Sequence, residues 1–325
     1  MGRSVASLER PGFTFEKTLS KTAIVFPGQG SQYVGMASDL YSSDPSSRQM
    51  MHQADKILGF PLTKLCFEGP EEELRQTRNT QPAIFLHSIV VAKKLDHVRC
   101  DMVAGHSLGE YSALVFAGAL SFEDGLRLVR LRGDLMQKAG EQQRGTMAAI
   151  VGLDPAVVEA ICSQAASAGV VQPANYNSPG QLVVSGSVGG VQKAMELAKQ
   201  QGAKIAKELS VSGAFHSPLM ESAKEGLHKE LDTVTINDAR KPVYANVTAE
   251  PVTKASEIRR LLYQQLTSPV RWEETISNMV RDGATTFGEA GPGKVLQGLV
   301  KRIAGNVAVS GFDKLSDFPA ERISR

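Results

Sequence analysis

Two side chains, far apart in this 325-residue sequence, have the types and settings of a nucleophile and its base. Gly105-His-Ser-Leu-Gly109 fits the GxSxG pattern, with a strand candidate at 101–104 before it and a helix-suited run at 110–116 after it. The flanking glycines leave room for a sharp strand-to-helix elbow. There Ser107 Oγ stands exposed, and backbone N–H groups at the helix start face a developing oxyanion. Serine attacks poorly until a base takes its proton, so one of the six histidines must serve. His216 is the candidate, because it lies in the glycine-containing loop Ser212-Gly-Ala-Phe-His-Ser-Pro218 just before a helix, and loops on a rigid scaffold are where catalytic groups concentrate. His106 adjoins the serine, but neighbours at an elbow point apart, so it is expected to pack or to donate a local hydrogen bond. His52, His87, His97 and His228 fall in helical or charged surroundings and read as surface or satisfied core residues. Arg132 shares a charged stretch with Arg127 and Arg130, and spacing alone makes it a helix-surface arginine.

The elements that must hold these groups follow from periodicity and turn chemistry. A strand at 22–26 stops at Pro27-Gly28, a buried helix is predicted over 81–92 with Pro82 at its entry, and a strand follows at 101–104. Between 145 and 211 the order reads strand 147–151, helix 155–168, strand 170–174, strand 181–185, helix 188–201, strand 204–209. That βαββαβ order is the split βαβ arrangement of ferredoxin-like domains. The chain resumes with a helix near 218–231, a strand at 242–246, a helix near 256–266, and a closing strand and helix around 286–303. The expected fold is α/β: a large α/β-hydrolase-like domain with a parallel sheet core, residues 22–143 and 211–310, with an inserted small ferredoxin-like domain at 144–210. Residues 1–21 and 311–325 are expected to be tails. The first could be an organelle presequence remnant, an added extension or plain disorder, and plain disorder is favoured because no secretory-type apolar core is present.

Composition narrows the function classes. With 36 basic and 34 acidic side chains, the net charge of +2 implies no strong field toward nucleic acid. Three cysteines without CxxC spacing argue against a disulfide framework or a zinc site and fit a reducing compartment. No apolar run approaches the roughly 18 residues of a membrane span. Nucleotide hydrolysis is disfavoured because Phe26-Pro-Gly-Gln-Gly-Ser31 lacks the lysine of a phosphate loop.

Several motifs in order then resemble the malonyl-CoA:acyl carrier protein transacylase family, which includes the acyltransferase domains of fatty acid and polyketide synthases. They are Phe26-Pro-Gly-Gln-Gly-Ser-Gln32, Gln81-Pro82, Gly105-His-Ser-Leu-Gly-Glu-Tyr-Ser-Ala113, Val129-Arg-Leu-Arg-Gly133 with Met136-Gln137, Asn175-Tyr-Asn-Ser-Pro-Gly180, Gly213-Ala-Phe-His216, Ser268-Pro-Val-Arg-Trp272 and Glu289-Ala-Gly-Pro-Gly-Lys294. Each is weak alone, and together they run through about 22–303. The resemblance implies Ser107 as nucleophile and His216 as base, with the imidazole held by the Gln265 backbone carbonyl. It implies an oxyanion hole from the N–H groups of Gln29 and Leu108. It also reverses the reading of Arg132, whose planar fork would hold the malonyl carboxylate. Gln81, Met136, Phe215 and Asn175 are the further substrate-binding candidates, an aromatic at 215 suiting unbranched malonyl groups. The implied reaction is ping-pong transfer of malonyl from malonyl-CoA to the phosphopantetheine thiol of holo acyl carrier protein. No bound cofactor or metal is expected, and no nucleic acid or membrane partner. A monomer is expected, in the cytoplasm, or in a plastid or the mitochondrial matrix should the N-terminus be a transit remnant. Two rivals share parts of this pattern: a serine esterase or thioesterase, and a catalytically silent carrier-binding protein.

Overall fold

The computed structural model describes residues 20–318. Among these residues, ten strands form two sheets. Strands β1 (Lys21–Phe26), β2 (Met102–Gly105), β7 (Val243–Tyr244), β8 (Pro251–Val252), β9 (Ala284–Ala290) and β10 (Ala308–Phe312) make one sheet in the order β10-β9-β1-β2-β7-β8. All its neighbours pair in parallel except the β7–β8 edge. Strands β3 (Gly145–Val151), β4 (Val171–Ser178), β5 (Gln181–Ser187) and β6 (Ile205–Glu208) make a separate antiparallel sheet in the order β4-β5-β3-β6.

Alternation along β1 explains why both faces of the large sheet are covered. Successive side chains of a strand point to opposite faces. Ile24 and Phe26 join a core with Phe85, Tyr111 and Val129 from the helices Thr77–Lys93, Gly109–Phe116 and Phe122–Gln142. Ala23 and Val25 join Trp272, Ile276, Leu296 and Leu299 from the helices Trp272–Arg281 and Val295–Ile303. A central parallel strand buried on both sides therefore reads as an uninterrupted apolar run. Chain connections run one way from β1 to β2 and β7, then cross to β9 and β10 on the other flank. The order thus reverses beside β1, and a crevice opens at the carboxyl ends of the strands there.

The small sheet buries one face under the helices Pro155–Ala165 and Val188–Gln200, with Ile150, Ile161, Val184 and Ala194 in its core. Met147 and Val183, from the other face, pack into the large unit's core.

Three expectations change. Pro82 sits inside the Thr77–Lys93 helix instead of at its entry. Proline cannot donate to the carbonyl four residues back, and that carbonyl, of Arg78, instead accepts from Arg130 Nη1 at 3.2 Å. The expected tail 1–21 ends too late: Lys21 opens β1, its N–H donating to the Gly283 carbonyl at 3.1 Å, while 1–19 lie outside the described residues. The expected tail 311–325 begins inside β10, and Asp313 beyond it is anchored. It accepts from Tyr33 Oη at 2.9 Å and from the Gly293 N–H at 3.1 Å, and lies 3.1 Å from His87 Nε2. Residues 319–325 of that tail lie outside the described residues.

Candidate active site

The elbow depends on glycines where backbones meet. A Cβ on Gly105 would lie 1.9 Å from the Gly109 carbonyl, and one on Gly109 would lie 2.1 Å from the Phe26 carbonyl oxygen of β1. Contact this close swings the chain directly from β2 into the Gly109–Phe116 helix. Ser107 occupies the apex at φ 51°, in the left-handed region that a residue with a Cβ disfavours. Asn246, just past β7, offsets that cost. Its Oδ1 accepts the Ser107 N–H at 2.6 Å and its Nδ2 donates to the Gly105 carbonyl at 2.7 Å.

His216 comes back over 109 residues of sequence to this apex. It too has a left-handed backbone, with φ 58°. Its Nδ1 lies 3.0 Å from the Gln265 carbonyl and 3.0 Å from the Ser268 carbonyl. Two carbonyls can only accept, so the proton resides on Nδ1 and the Nε2 lone pair is free. Ser107 Oγ–H donates to that Nε2 at 2.8 Å. Burial, and then the positive charge of Arg132, push the His216 imidazole down to about 3. At neutral pH it is unprotonated, the state a base requires. Gln172 of β4 donates through Nε2 to the His216 carbonyl at 2.9 Å, so the small sheet grips the loop that carries this imidazole.

Arg132 is only 1% exposed, so the surface reading from spacing is overturned. The Phe122–Gln142 helix is amphipathic and turns this position inward. Its Nη1 donates to Gln81 Oε1 at 2.8 Å, and its Nη2 donates to Gln265 Oε1 and to Ser107 Oγ, both at 3.0 Å. A planar fork so held is pre-aimed at whatever is bonded to Oγ.

These groups border a cleft of about 220 Å³ between the two sheets, and Gln29, Leu108, Met136, Phe215 and Asn175 line it with Ser107, His216 and Arg132. Among the described residues, neither the Gln29 nor the Leu108 backbone N–H donates to an acceptor within the chain. Gln81 is buried and reaches the cleft only through Arg132, its own Nε2 resting against Met136 Sδ at 3.2 Å. Gln265 likewise acts from behind, by carbonyl and by side chain. His106 points away from the serine and meets Asn177 Oδ1 through Nε2 at 2.9 Å. Met147 and Val183 form the roof and Leu296 and Leu299 one wall.

The match to known proteins agrees with this arrangement. Residues 23–310 match the family model described as the acyl transferase domain. The chain belongs to that acyl transferase family. It is 49% identical to the malonyl CoA-acyl carrier protein transacylase of Bacillus subtilis, over 88% of this chain and 91% of that protein. It is 44% identical to the enzyme of the same name from Haemophilus influenzae, over 93% and 98%. The solved malonyl CoA-acyl carrier protein transacylase of Coxiella burnetii superposes with a TM-score of 0.89 at 41% identity, covering 92% of this chain and 95% of that one. A malonyl-transacylase solved in complex with a type II PKS acyl-carrier protein gives the same score at 40% identity, covering 92% and 97%.

Four members of the constellation escaped the sequence: Glu110, Asn246, Gln172 and the Ser268 carbonyl. Glu110 alone left a signal, as a carboxylate in the otherwise apolar start of the helix after the serine, where it needs a partner. Ser268 opens the Ser268-Pro-Val-Arg-Trp272 run, but the task of a backbone carbonyl leaves no mark on side-chain identity, and nothing in the local sequence sets Asn246 or Gln172 apart.

Proposed function

We infer that this chain transfers the malonyl group of malonyl-CoA to the phosphopantetheine thiol of holo acyl carrier protein, through a malonyl-serine ester, for fatty acid or polyketide chain elongation. The observation that carries this is one oxygen, Ser107 Oγ, touched by an imidazole that can take its proton and a guanidinium that can hold a carboxylate. Nε2 of His216 takes the hydroxyl proton as Oγ attacks the thioester carbonyl. The negative charge that develops on the carbonyl oxygen meets the unengaged N–H groups of Gln29 and Leu108. As the tetrahedral carbon collapses, the C–S bond breaks and the imidazolium proton goes to the departing coenzyme A sulfur. The carrier thiol then gives its proton to Nε2, attacks the ester, and the Ser107–acyl bond breaks with the proton returned to Oγ. Atoms balance with side-chain and backbone groups alone, malonyl-CoA being the substrate and no resident cofactor being called on.

Arg132 supplies selectivity. Once Oγ is an ester oxygen, the Nη2 hydrogen that faced it is available to the malonyl carboxylate, and Nη1 keeps a second hydrogen beyond its bond to Gln81. Met136 and Phe215 offer an apolar wall to the short acyl chain, and Asn175 faces the cleft from β4. The carboxylate clamp also keeps water from the ester, favouring transfer over hydrolysis. The βαββαβ order and the β4-β5-β3-β6 arrangement support a ferredoxin-like unit at about 144–210, inserted in an α/β-hydrolase-like domain. The enzyme is proposed to work as a cytoplasmic monomer. Among the described residues, no helix is long and apolar enough to cross a membrane.

Intact-mass measurement after mixing with malonyl-CoA, methylmalonyl-CoA or acetyl-CoA, then with holo acyl carrier protein, tests each step. One malonyl per chain is expected, discharged by the carrier and absent from Ser107→Ala. Labelling retained in that variant would remove the nucleophile. Arg132→Ala is expected to lose about 100-fold or more on malonyl-CoA and far less on acetyl-CoA, and equal losses would remove the clamp. Free malonate released faster than malonyl reaches the carrier would favour a thioesterase.

A further inference from the structure

The mechanism above leaves a buried carboxyl group beside the site without a task. Glu110 stands three residues after the nucleophile and is 3% exposed. Among the described residues, no lysine, arginine or histidine lies within ion-pair distance of it. Its Oε2 accepts from Gln265 Nε2 at 2.8 Å and from the Asn246 backbone N–H at 3.1 Å. Gln265 Nε2 also donates to the Ser107 carbonyl at 3.0 Å, so both of its hydrogens are engaged. Its Oε1 is then the end left to face Arg132 Nη2, and that Nη2 also touches Ser107 Oγ. Turned end for end, the amide would set an NH2 group against a guanidinium, two donors with no acceptor between them, and Arg132 would have to move.

We propose that Glu110 is a positioning residue that fixes the direction of the Gln265 amide and, through it, the Arg132 fork that selects a carboxylated acyl group. This rests on Arg132 being the malonyl clamp. What Gln265 and Asn246 require from position 110 is an oxygen at one place, whatever its charge. Burial, opposed by the hydrogen bonds from Gln265 and Asn246 and by the Arg132 charge, raises the Glu110 carboxyl to about 7. Protonation on Oε1 leaves Oε2 free to accept, so the task survives either state.

Two substitutions separate direction from charge. Glu110→Gln keeps an oxygen at the same reach and removes the charge; Glu110→Asp keeps the charge and shortens the reach by one methylene. The measurement is the ratio of kcat/KM for malonyl-CoA to that for acetyl-CoA, with holo acyl carrier protein as acceptor and a melting curve for each variant. E110Q is expected to keep the parent ratio within about threefold. E110D is expected to lower it tenfold or more through malonyl-CoA, with acetyl-CoA changed less than threefold. Loss of the ratio in E110Q would overturn the proposal, because charge would then be the operative property. Equal losses on both substrates in E110D would also overturn it, leaving only a structural role. Should E110D not fold, E110Q decides alone by the same threshold. Arg132→Ala measured alongside keeps the two levels apart: an unchanged ratio there removes the clamp itself, whereas a collapsed ratio there with an intact one in E110D removes Glu110 only.

Discussion

A base is active only when unprotonated, so in the proposed mechanism the depressed His216 decides how this site responds to acid. Burial is the larger cause and the Arg132 charge the second. With its value pushed to about 3, the imidazole stays free of protons across the range where an ordinary histidine would bind one. The acid limb of kcat/KM should therefore fall well below pH 6. Removing the guanidinium takes away the second largest of the lowering causes, so Arg132→Ala should lose activity at a higher pH than the parent. The pH–rate profile of acylation with acetyl-CoA, which has no carboxylate to replace the missing charge balance, checks this. Superimposable acid limbs would show that Arg132 and His216 do not interact.

At the scale of elements, two polar side chains, Gln172 and Glu289, help hold the cleft walls to the frame. Gln172 of β4 donates to the carbonyls of His216, at 2.9 Å, and Thr267, at 3.4 Å. The 268–270 segment that orients the imidazole is also bridged to β4, with Val270 N–H donating to Ala174 and Tyr176 N–H to Val270. Gln172→Leu should therefore lower kcat about tenfold while the substrate KM changes little, because it loosens the base and not the acyl pocket. Steady-state kinetics would check it, and a rise in KM alone would contradict it. On the opposite wall, Glu289 of β9 accepts the N–H groups of Leu296 and Gln297 at 3.0 and 3.1 Å, serving the otherwise unsatisfied start of the Val295–Ile303 helix. Glu289→Ala should cost about 2–3 kcal/mol in urea unfolding. KM for malonyl-CoA should rise with it, because Leu296 and Leu299 of that helix line the cleft.

Over the whole molecule, the two perturbed groups at the centre tilt stability in opposite directions. His216 has a folded value below its unfolded one, so the stability it contributes is full above about pH 6.5 and declines as pH falls toward 3. Glu110 has a folded value above its unfolded one, so its contribution is full below about pH 4.5 and is lost as pH rises through about 7. Between about pH 4.5 and 6.5 the folded state lacks one proton at His216 and holds an extra one at Glu110, and the two slopes largely cancel. Glu110→Gln removes only the second slope. Its stability should then fall by about 1–2 kcal/mol more than the parent's between pH 6.5 and 5. Melting curves of both proteins at the two pH values would reveal it, and parallel shifts would contradict the opposed pair.

What the residues determine by themselves here is local. Apolar runs, turn glycines and the GxSxG elbow mark the strands at 22–26 and 101–104, the strand–helix order from 145 to 211, and Ser107 and His216 as the pair to test. Those features depend on side-chain period and backbone freedom within a few residues, which a sequence states directly. The tertiary structure decided the rest, because the deciding quantity was burial or a distant partner. Arg132 resembles its charged neighbours until packing encloses it. Pro82 continues a helix because Arg130 replaces the donor it lacks. Residues 308–313 become strand and anchor because β9 and His87 lie beside them. Glu110, Asn246 and Gln172 acquire tasks only when Gln265, Ser107 and His216 arrive from far along the chain. A hydrogen bond selects its partner by position in space, and position in space is what one-dimensional spacing does not contain.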